Sequence, residues 1–405
     1  MKIREIRATP VLVPLRRPLL HSNGTETGTA RTVIELVTEE GVVGVGETRG
    51  GASVAAMVAA SRELWAGVDV LEAARIARRF GFYRVTSEQL HTVGAMKLAG
   101  AGIELACWDA AGKLLGKRAG DLWGGIERER IDFAAYAFYR YADDGAGGVG
   151  ADDATIEPVV EHAAELIETH GFRDVKVKNG VLDPEQELAD IRRLRADLGS
   201  RMRHLRIDPN QVWSVGTAVR FLTRAAELDI EFCEDPVFGI EGMSRVNELV
   251  PVPLATNMCC VSFEQIPDVV RARALDVILG DVHFWGGPTA ASKLAGICDA
   301  FSLGFSLHSD RELGVSTAAM LHFTAAHPQI RHAIDSHLPE QADDVITEPF
   351  AFEDGTLAVP EGPGLGVELD SDKLERYARL YEQQGEADEF RNPWKSDWWP
   401  TLPLY

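Results

Sequence analysis

The sequence predicts an α/β protein, a barrel of seven or eight strand–helix units that follows a small α+β domain. Three observations point there. The chain has 405 residues, too many for one average core but suited to a barrel of about 250 residues with a second domain. Its first fifty residues alternate as antiparallel strands do, and from about Ser53 to Gly116 the spacing becomes helical. After the DLWGG loop at 121–125, short apolar runs alternate with amphipathic segments, the rhythm of a parallel sheet or barrel.

In the N-terminal part the strands are KIREIRATPVLVPL, then RTVIELVT, then VVGVGE after a turn at Glu40-Gly41. The stretch LLHSNGTETGTA before Arg31 reads as a loop. Gly44 and Gly46 resemble part of a dinucleotide fingerprint, but no helix opens from them and the third glycine is missing, so they belong to a hairpin strand. The helical stretch places Ile103, Ala106, Cys107 and Ala110 on one face and stops at Gly116. Beyond about Asp354, GTLAVPEGPGLGVELD returns to turns, followed by the helical DKLERYARLYEQQ and an aromatic tail, NPWKSDWWPTLPLY, expected to pack on the first domain.

Composition narrows the function classes. With 45% hydrophobic and 25% charged residues the chain can bury a large core. A net charge of −21 would repel a phosphate backbone and no Lys/Arg block is present, so nucleic acid is not an expected partner. An anionic small substrate remains compatible, because a metal ion and a few lysines reverse the field locally. Charges interrupt the N-terminal apolar residues and no stretch reaches membrane-spanning length, so no membrane partner and a cytoplasmic location are expected. The five cysteines lack metal-ligand spacing and read as reduced, buried thiols, with a redox role for the adjacent Cys259 and Cys260 as the lesser alternative.

The chemistry is carried by polar residues at the ends of successive apolar segments, where barrel active sites are assembled. In FRDVKVKNG, Lys176 and Lys178 share one face of a strand. LRIDPNQVW then gives Asp208 and Asn210, IEFCEDP gives Glu234 and Asp235, and PLATNMCC gives Asn257. Each alone is also a common turn or cap residue. Together Asp208, Glu234 and Asn257 are hard oxygen donors from three neighbouring strands, a set suited to Mg²⁺. Further on, LDVILGDVHFWGG ends in Asp281 and GFSLHSD in His308, so a carboxylate would meet an imidazole and fix its tautomer for proton transfer. His283, His322, His327, His332 and His337 lack this placement and are set aside as packing or surface residues.

In this order Lys-Val-Lys, Asp208, Glu234, Asn257, Asp281 and His308 resemble the enolase superfamily, the mandelate racemase/muconate lactonizing enzyme type. Within it DVKVKNGVL, DPNQVW, ATNM, DVHFW, LHSD and AIDSH are similar to the glucarate dehydratase group. GVGE and GIELACWD extend the similarity over nearly the whole chain. The resemblance implies a modified TIM barrel, (β/α)₇β, at 131–354, an α+β capping domain at 1–130, and a C-terminal segment at 355–405 that packs back on the cap. It implies Mg²⁺ held by Asp208, Glu234 and Asn257, with Lys178 as base on one side and His308 with Asp281 on the other. Lys176 would lower the pKa of Lys178 by like-charge repulsion and help neutralise a substrate carboxylate. Asn210 and Asp335 become candidate substrate contacts, and dimers or octamers are implied.

The implied activity is an acid-sugar dehydratase, a hydro-lyase that removes the proton beside a carboxylate and eliminates a β-hydroxyl as water. Epimerisation on the same site, a non-catalytic sugar-acid-binding relative, and a metal-free hydrolase using Asp208 and Glu234 are the alternatives. The substrate-contacting positions depart from the group. Ala101 stands where the dehydratases place threonine, and Ser309 is followed by Asp310 and Arg311 where they carry Asn-Asn. His21 and Asn23 do not align without gaps to the group's substrate-binding residues. Asp310 would repel a second substrate carboxylate unless paired, with Arg311 the expected partner, so monocarboxylic and dicarboxylic acid sugars both stay open.

Overall fold

The alternation of the first fifty residues forms an antiparallel meander of β1 (Ile3–His21), β2 (Gly24–Thr38) and β3 (Val43–Arg49). Ile3 and Ile6 point into the core while Arg4 and Arg7 face solvent, the strand's alternation resetting at a register shift between Ile3 and Glu5. The computed structural model describes residues 1–22, 24–73, 75, 90–141, 156–386 and 405. The segment read as a loop before Arg31 is instead ladder. The register of β1 shifts between Pro14 and Leu19, then resumes with Leu19 opposite Glu26, Leu20 opposite Thr25 and His21 opposite Gly24. Pro14 lacks the N–H a regular ladder needs, so an irregularity there lets pairing continue beyond it. Asn23 lies outside the described residues.

Helices α1 (Ala52–Trp65) and α2 (Leu90–Leu115) pack on this sheet. Gly44 and Gly46 make the packing close: a Cβ at Gly44 would fall 2.1 Å from the Ala106 carbonyl and one at Gly46 2.2 Å from that of Gly102. The hairpin reading of VVGVGE therefore holds, and its glycines serve helix–sheet contact. Ile103, Ala106, Cys107 and Ala110 are buried as the spacing predicts, and α2 stops at Gly116 with φ +64°.

The barrel consists of β4 (Arg130–Ala137), β7 (Asp174–Lys178), β8 (His204–Asp208), β9 (Ile230–Glu234), β10 (Leu254–Thr256), β11 (Val277–Gly280), β12 (Gly304–Leu307) and β13 (Ile334–Ser336). These run parallel in the order β12-β11-β10-β9-β8-β7-β4-β13. An isolated bridge between Phe305 and Ile330 brings the β12 edge towards closure. The chain is an α/β protein with a nearly closed parallel barrel and a separate antiparallel cap sheet, as the sequence predicts. Two short strands, β5 (Tyr139–Tyr141) and β6 (Ile156–Glu157), leave the barrel segment and join the cap sheet beside β1. They tie the two bodies together at the mouth.

Beyond residue 355, β14 (Thr356–Ala358) pairs antiparallel with β4. Helix Ser371–Gln384 sets Tyr377 against Val11, Val13 and Val33 of the cap. Of the aromatic tail only Tyr405 is described. Its backbone bonds Val212 and Ser214 of the loop after β8, at 3.2 and 2.6 Å. No helix among the described residues is long and apolar enough to cross a membrane.

Candidate active site

Strand register sets the floor of the site. Lys178 pairs with Asp208 across β7 and β8, and Lys176 with Tyr136 across β7 and β4. Lys176 Nζ lies 2.5 Å from Glu234 Oε2, 2.8 Å from Asp335 Oδ2 and 3.2 Å from Asp208 Oδ2. It also stands 4.5 Å from the centre of the Tyr136 ring, a favourable cation–π distance. Lys178 Nζ donates to Asp208 Oδ2 at 2.7 Å and to Asn210 Oδ1 at 2.9 Å. The Tyr136 hydroxyl donates to Asp208 Oδ2 at 3.3 Å.

Burial and charge act against each other here. Burial by itself would lower Lys178 and is the largest single influence, but the surrounding negative charge, Asp208 foremost and Glu234 behind it, together outweighs it and holds the ammonium well above its ordinary range. The expected lowering by Lys176 is real in sign but smaller, because the carboxylate is in direct contact. Asp208 is held below the usual carboxylate range: burial pushes it up, and Lys178 and Lys176 more than offset that. Glu234 is raised, first by burial and then by the neighbouring Asp208 charge.

Three carboxylates thus share two ammoniums on this floor, and the buried Glu234 Oε1 has no hydrogen-bond partner. A buried carboxylate left that way calls for a cation. Among the described residues no group of three His, Cys, Asp or Glu side chains is placed to hold a metal; an amide oxygen is a further hard donor that can stand beside Asp208 and Glu234. Asn257 fits that role, one residue beyond β10 and lining the same cavity as Lys178. Asp235 fixes the turn that presents it, accepting from Asn257 N at 2.8 Å, Met258 N at 3.1 Å and Thr256 Oγ1 at 2.5 Å. The donor set matches a hard dication such as Mg²⁺.

Across the barrel, β11 and β12 bring Asp281 and His308 together, with His308 Nδ1 3.0 Å from Asp281 Oδ2. The other Asp281 oxygen accepts from the His283 and Phe284 amides at 2.5 and 2.6 Å. Burial would lower the imidazole, but the bond and charge of Asp281 dominate and raise it to about 9. Asp281, pushed up by burial, is carried down to about 2 by its histidine partner. β12 and β7 stand three strands apart one way round the barrel and five the other. His308 and Lys178 therefore reach the cavity from different sides.

The cavity, about 330 Å³, lies between barrel and cap. Lys178, Asn210, Asn257 and His308 line it from below, and His21, Glu26 and Arg49 from the cap. Ser309 also lines it, bonded to Glu312 at 2.6 Å and to His337 Nδ1 at 2.8 Å. His21 is held 3.0 Å from Glu26. Asp310 lines the wall, but its nearest partner is Arg49 at 3.1 Å; Arg311, the expected one, is at 3.7 Å and Arg31 at 3.8 Å. Asp335 departs from expectation. It sits on β13, facing Lys176 and Arg206 rather than the cavity, because an inward residue in mid-strand lies a layer below the strand ends.

Sequence reasoning missed three contributors. Tyr136 follows an apolar run on β4 and was visible as a polar-tipped residue near that strand's end. His337, set aside with the other histidines, lines the cavity one residue past β13 and packs on Tyr136 at 4.7 Å. Arg49 ends β3, and only the folded cap brings it to the barrel. The cysteines are all free and buried, and burial pushes the Cys259 and Cys260 thiols up, the latter to about 12. Thiolate, the reactive form, is disfavoured there.

Comparison with known proteins places this architecture. Residues 3–124 match the mandelate racemase / muconate lactonizing enzyme N-terminal domain, and residues 158–373 match the enolase C-terminal domain-like family. A probable glucarate dehydratase of Streptomyces coelicolor is 37% identical over 393 residues, covering 92% of this chain and 90% of that protein. Muconate cycloisomerase 1 of Rhodococcus opacus is 27% identical over 94% of this chain and 99% of its own length. The crystal structure of an enolase from Thermobispora bispora complexed with magnesium and formate superposes with a TM-score of 0.87 at 40% identity, covering 95% of this chain and 94% of that one.

Proposed function

The chain belongs to the enolase superfamily, and on that footing we propose that it is a Mg²⁺-dependent acid-sugar dehydratase that removes the proton α to a carboxylate and expels a β-hydroxyl. The observation that carries this reading is the disposition of Lys178 and the His308–Asp281 pair on different sides of one cavity, beside the buried carboxylates Asp208 and Glu234. The 37% identity to a probable glucarate dehydratase supports the reaction class.

A proton beside a carboxylate is very weakly acidic, and its removal creates a doubly charged enediolate that must be stabilised; the handling of this problem by a Lys or His base with Mg²⁺ is a known pattern for this superfamily. Asp208, Glu234 and Asn257 would hold Mg²⁺, which would supply that charge neutralisation and offset the negative charge that keeps Lys178 protonated. Lys178, 2.9 Å from Asn210, is oriented towards the cavity and takes the α-proton. Lys176, kept charged by its carboxylate contacts, adds positive potential below the substrate carboxylate. His308, raised to about 9, enters as imidazolium and gives its proton to the departing hydroxyl. The C–O bond breaks as the enediolate electrons form the C=C bond, and tautomerisation yields a 2-keto-3-deoxy acid.

Bases on two sides also favour a second outcome, return of the proton to the opposite side, which is epimerisation. The test is a product screen with Mg²⁺ over hexonates, pentonates and aldarates. Formation of a 2-keto-3-deoxy acid is expected; an epimer alone would replace dehydration by the second outcome, and activity unaffected by EDTA would remove the metal from the mechanism.

A further inference from the structure

The wall of the cavity beyond His308 is built of ion pairs that are already matched. The Phe284 ring stands 5.5 Å from the His308 ring, and the Arg49 guanidinium lies 5.3 Å from the Phe284 centre on its way to Asp310. Arg49 Nε reaches Asp310 Oδ2 at 3.1 Å, and both residues line the cavity. Arg311 faces Glu26 at 3.4 Å, also on the lining. Arg31, behind them, is bound to Glu47 at 2.7 Å and donates to the Asp310 carbonyl at 3.1 Å. Among the described residues every arginine of this wall faces a carboxylate.

A second substrate carboxylate would need an arginine whose charge is not already matched, or it would be desolvated beside Asp310 and Glu26. Hydroxyl groups carry no such penalty and can bond to both members of an ion pair. We propose that Asp310 determines specificity by neutralising Arg49, so that the site takes acid sugars with one carboxylate and an uncharged polyol end in preference to the matching dicarboxylic acids. This deepens the proposed function and rests on it for the orientation of the first carboxylate.

The experiment compares D-gluconate with D-glucarate, and D-galactonate with D-galactarate, by calorimetric binding to the Mg²⁺-loaded protein. For the wild type the hexonate should bind at least about tenfold more tightly than its hexarate, the effect of one mismatched charge. In Asp310→Asn, which removes this carboxylate from beside Arg49, that preference should fall at least about tenfold; Asp310→Ser should do the same if the asparagine variant folds poorly. A wild-type preference for the hexarates, binding of neither kind of acid, or the same preference in a folded variant overturns the proposal. Deuterium exchange at the α-carbon, followed on the same ligands, separates the two readings. Binding with the expected preference but without exchange leaves the specificity standing and defeats the dehydratase.

Discussion

The floor of the cavity and its far wall are built from different kinds of sequence neighbourhood. On the floor, Lys178 and Asp208 are register partners on adjacent strands, and Glu234 follows on the next one. On the wall, Arg49 from the cap meets Asp310 from the loop after β12. The floor is also unbalanced, three carboxylates sharing two ammoniums, whereas the wall is paired arginine by carboxylate. An unbalanced cluster is poised to take up a cation and move protons; a balanced one shapes what fits. On the proposed function, chemistry resides on the floor of this cavity and selectivity on its wall.

If the floor carries the chemistry, its variants should show the largest losses. Lys178→Ala and His308→Ala should each lower turnover by at least about 10²-fold, measured on whichever acid sugar the product screen identifies. Normal turnover in both would place the chemistry elsewhere. Asn257→Ala should weaken Mg²⁺ binding by about tenfold or more in a calorimetric titration, and Asp235→Asn, through loss of the turn that presents Asn257, by about tenfold. An unchanged affinity in Asn257→Ala would remove the amide from the ligand set.

The histidine side adds a pH signature. With its folded value raised to about 9 from 6.5, His308 keeps its proton through neutrality. Its pairing with Asp281 therefore stabilises the fold fully below about pH 6.5 and loses that contribution as pH rises through about 9. Turnover that needs the imidazolium should fall along a limb near pH 9, and Asp281→Asn should move the limb to lower pH. A profile flat to pH 10 would argue against His308 as the acid. The smallest effect belongs to Tyr136→Phe, which removes one hydrogen bond to Asp208 and should cost a few-fold in turnover, about 1 kcal/mol.

The same contrast explains what the sequence disclosed. Strand ends are legible because an apolar run that stops in a polar residue marks its position in a barrel, and so the placement of Lys176, Lys178, Asp208, Glu234 and the Asp281–His308 contact could be anticipated. Arg49–Asp310 and His21–Glu26 could not, since the former joins distant segments and the latter follows from a ladder that continues past an irregularity at Pro14. Asp335 shows a further limit. One strand position separates a cavity-facing residue from one buried beneath Lys176, and residue type alone does not fix that layer. His337 shows the converse, a strand-end residue one past β13 that lines the cavity but that so short an apolar run does not mark in the sequence.

The most direct test of the account is solvent exchange: hexonates incubated in D₂O with the Mg²⁺-loaded protein and followed by proton NMR at the carbon next to the carboxylate. At least one should exchange that hydrogen or lose it in a 2-keto product, with loss of the signal abolished in Lys178→Ala combined with His308→Ala. Full retention of the hydrogen across hexonates, pentonates and aldarates, under conditions where they bind, would contradict proton abstraction at this site.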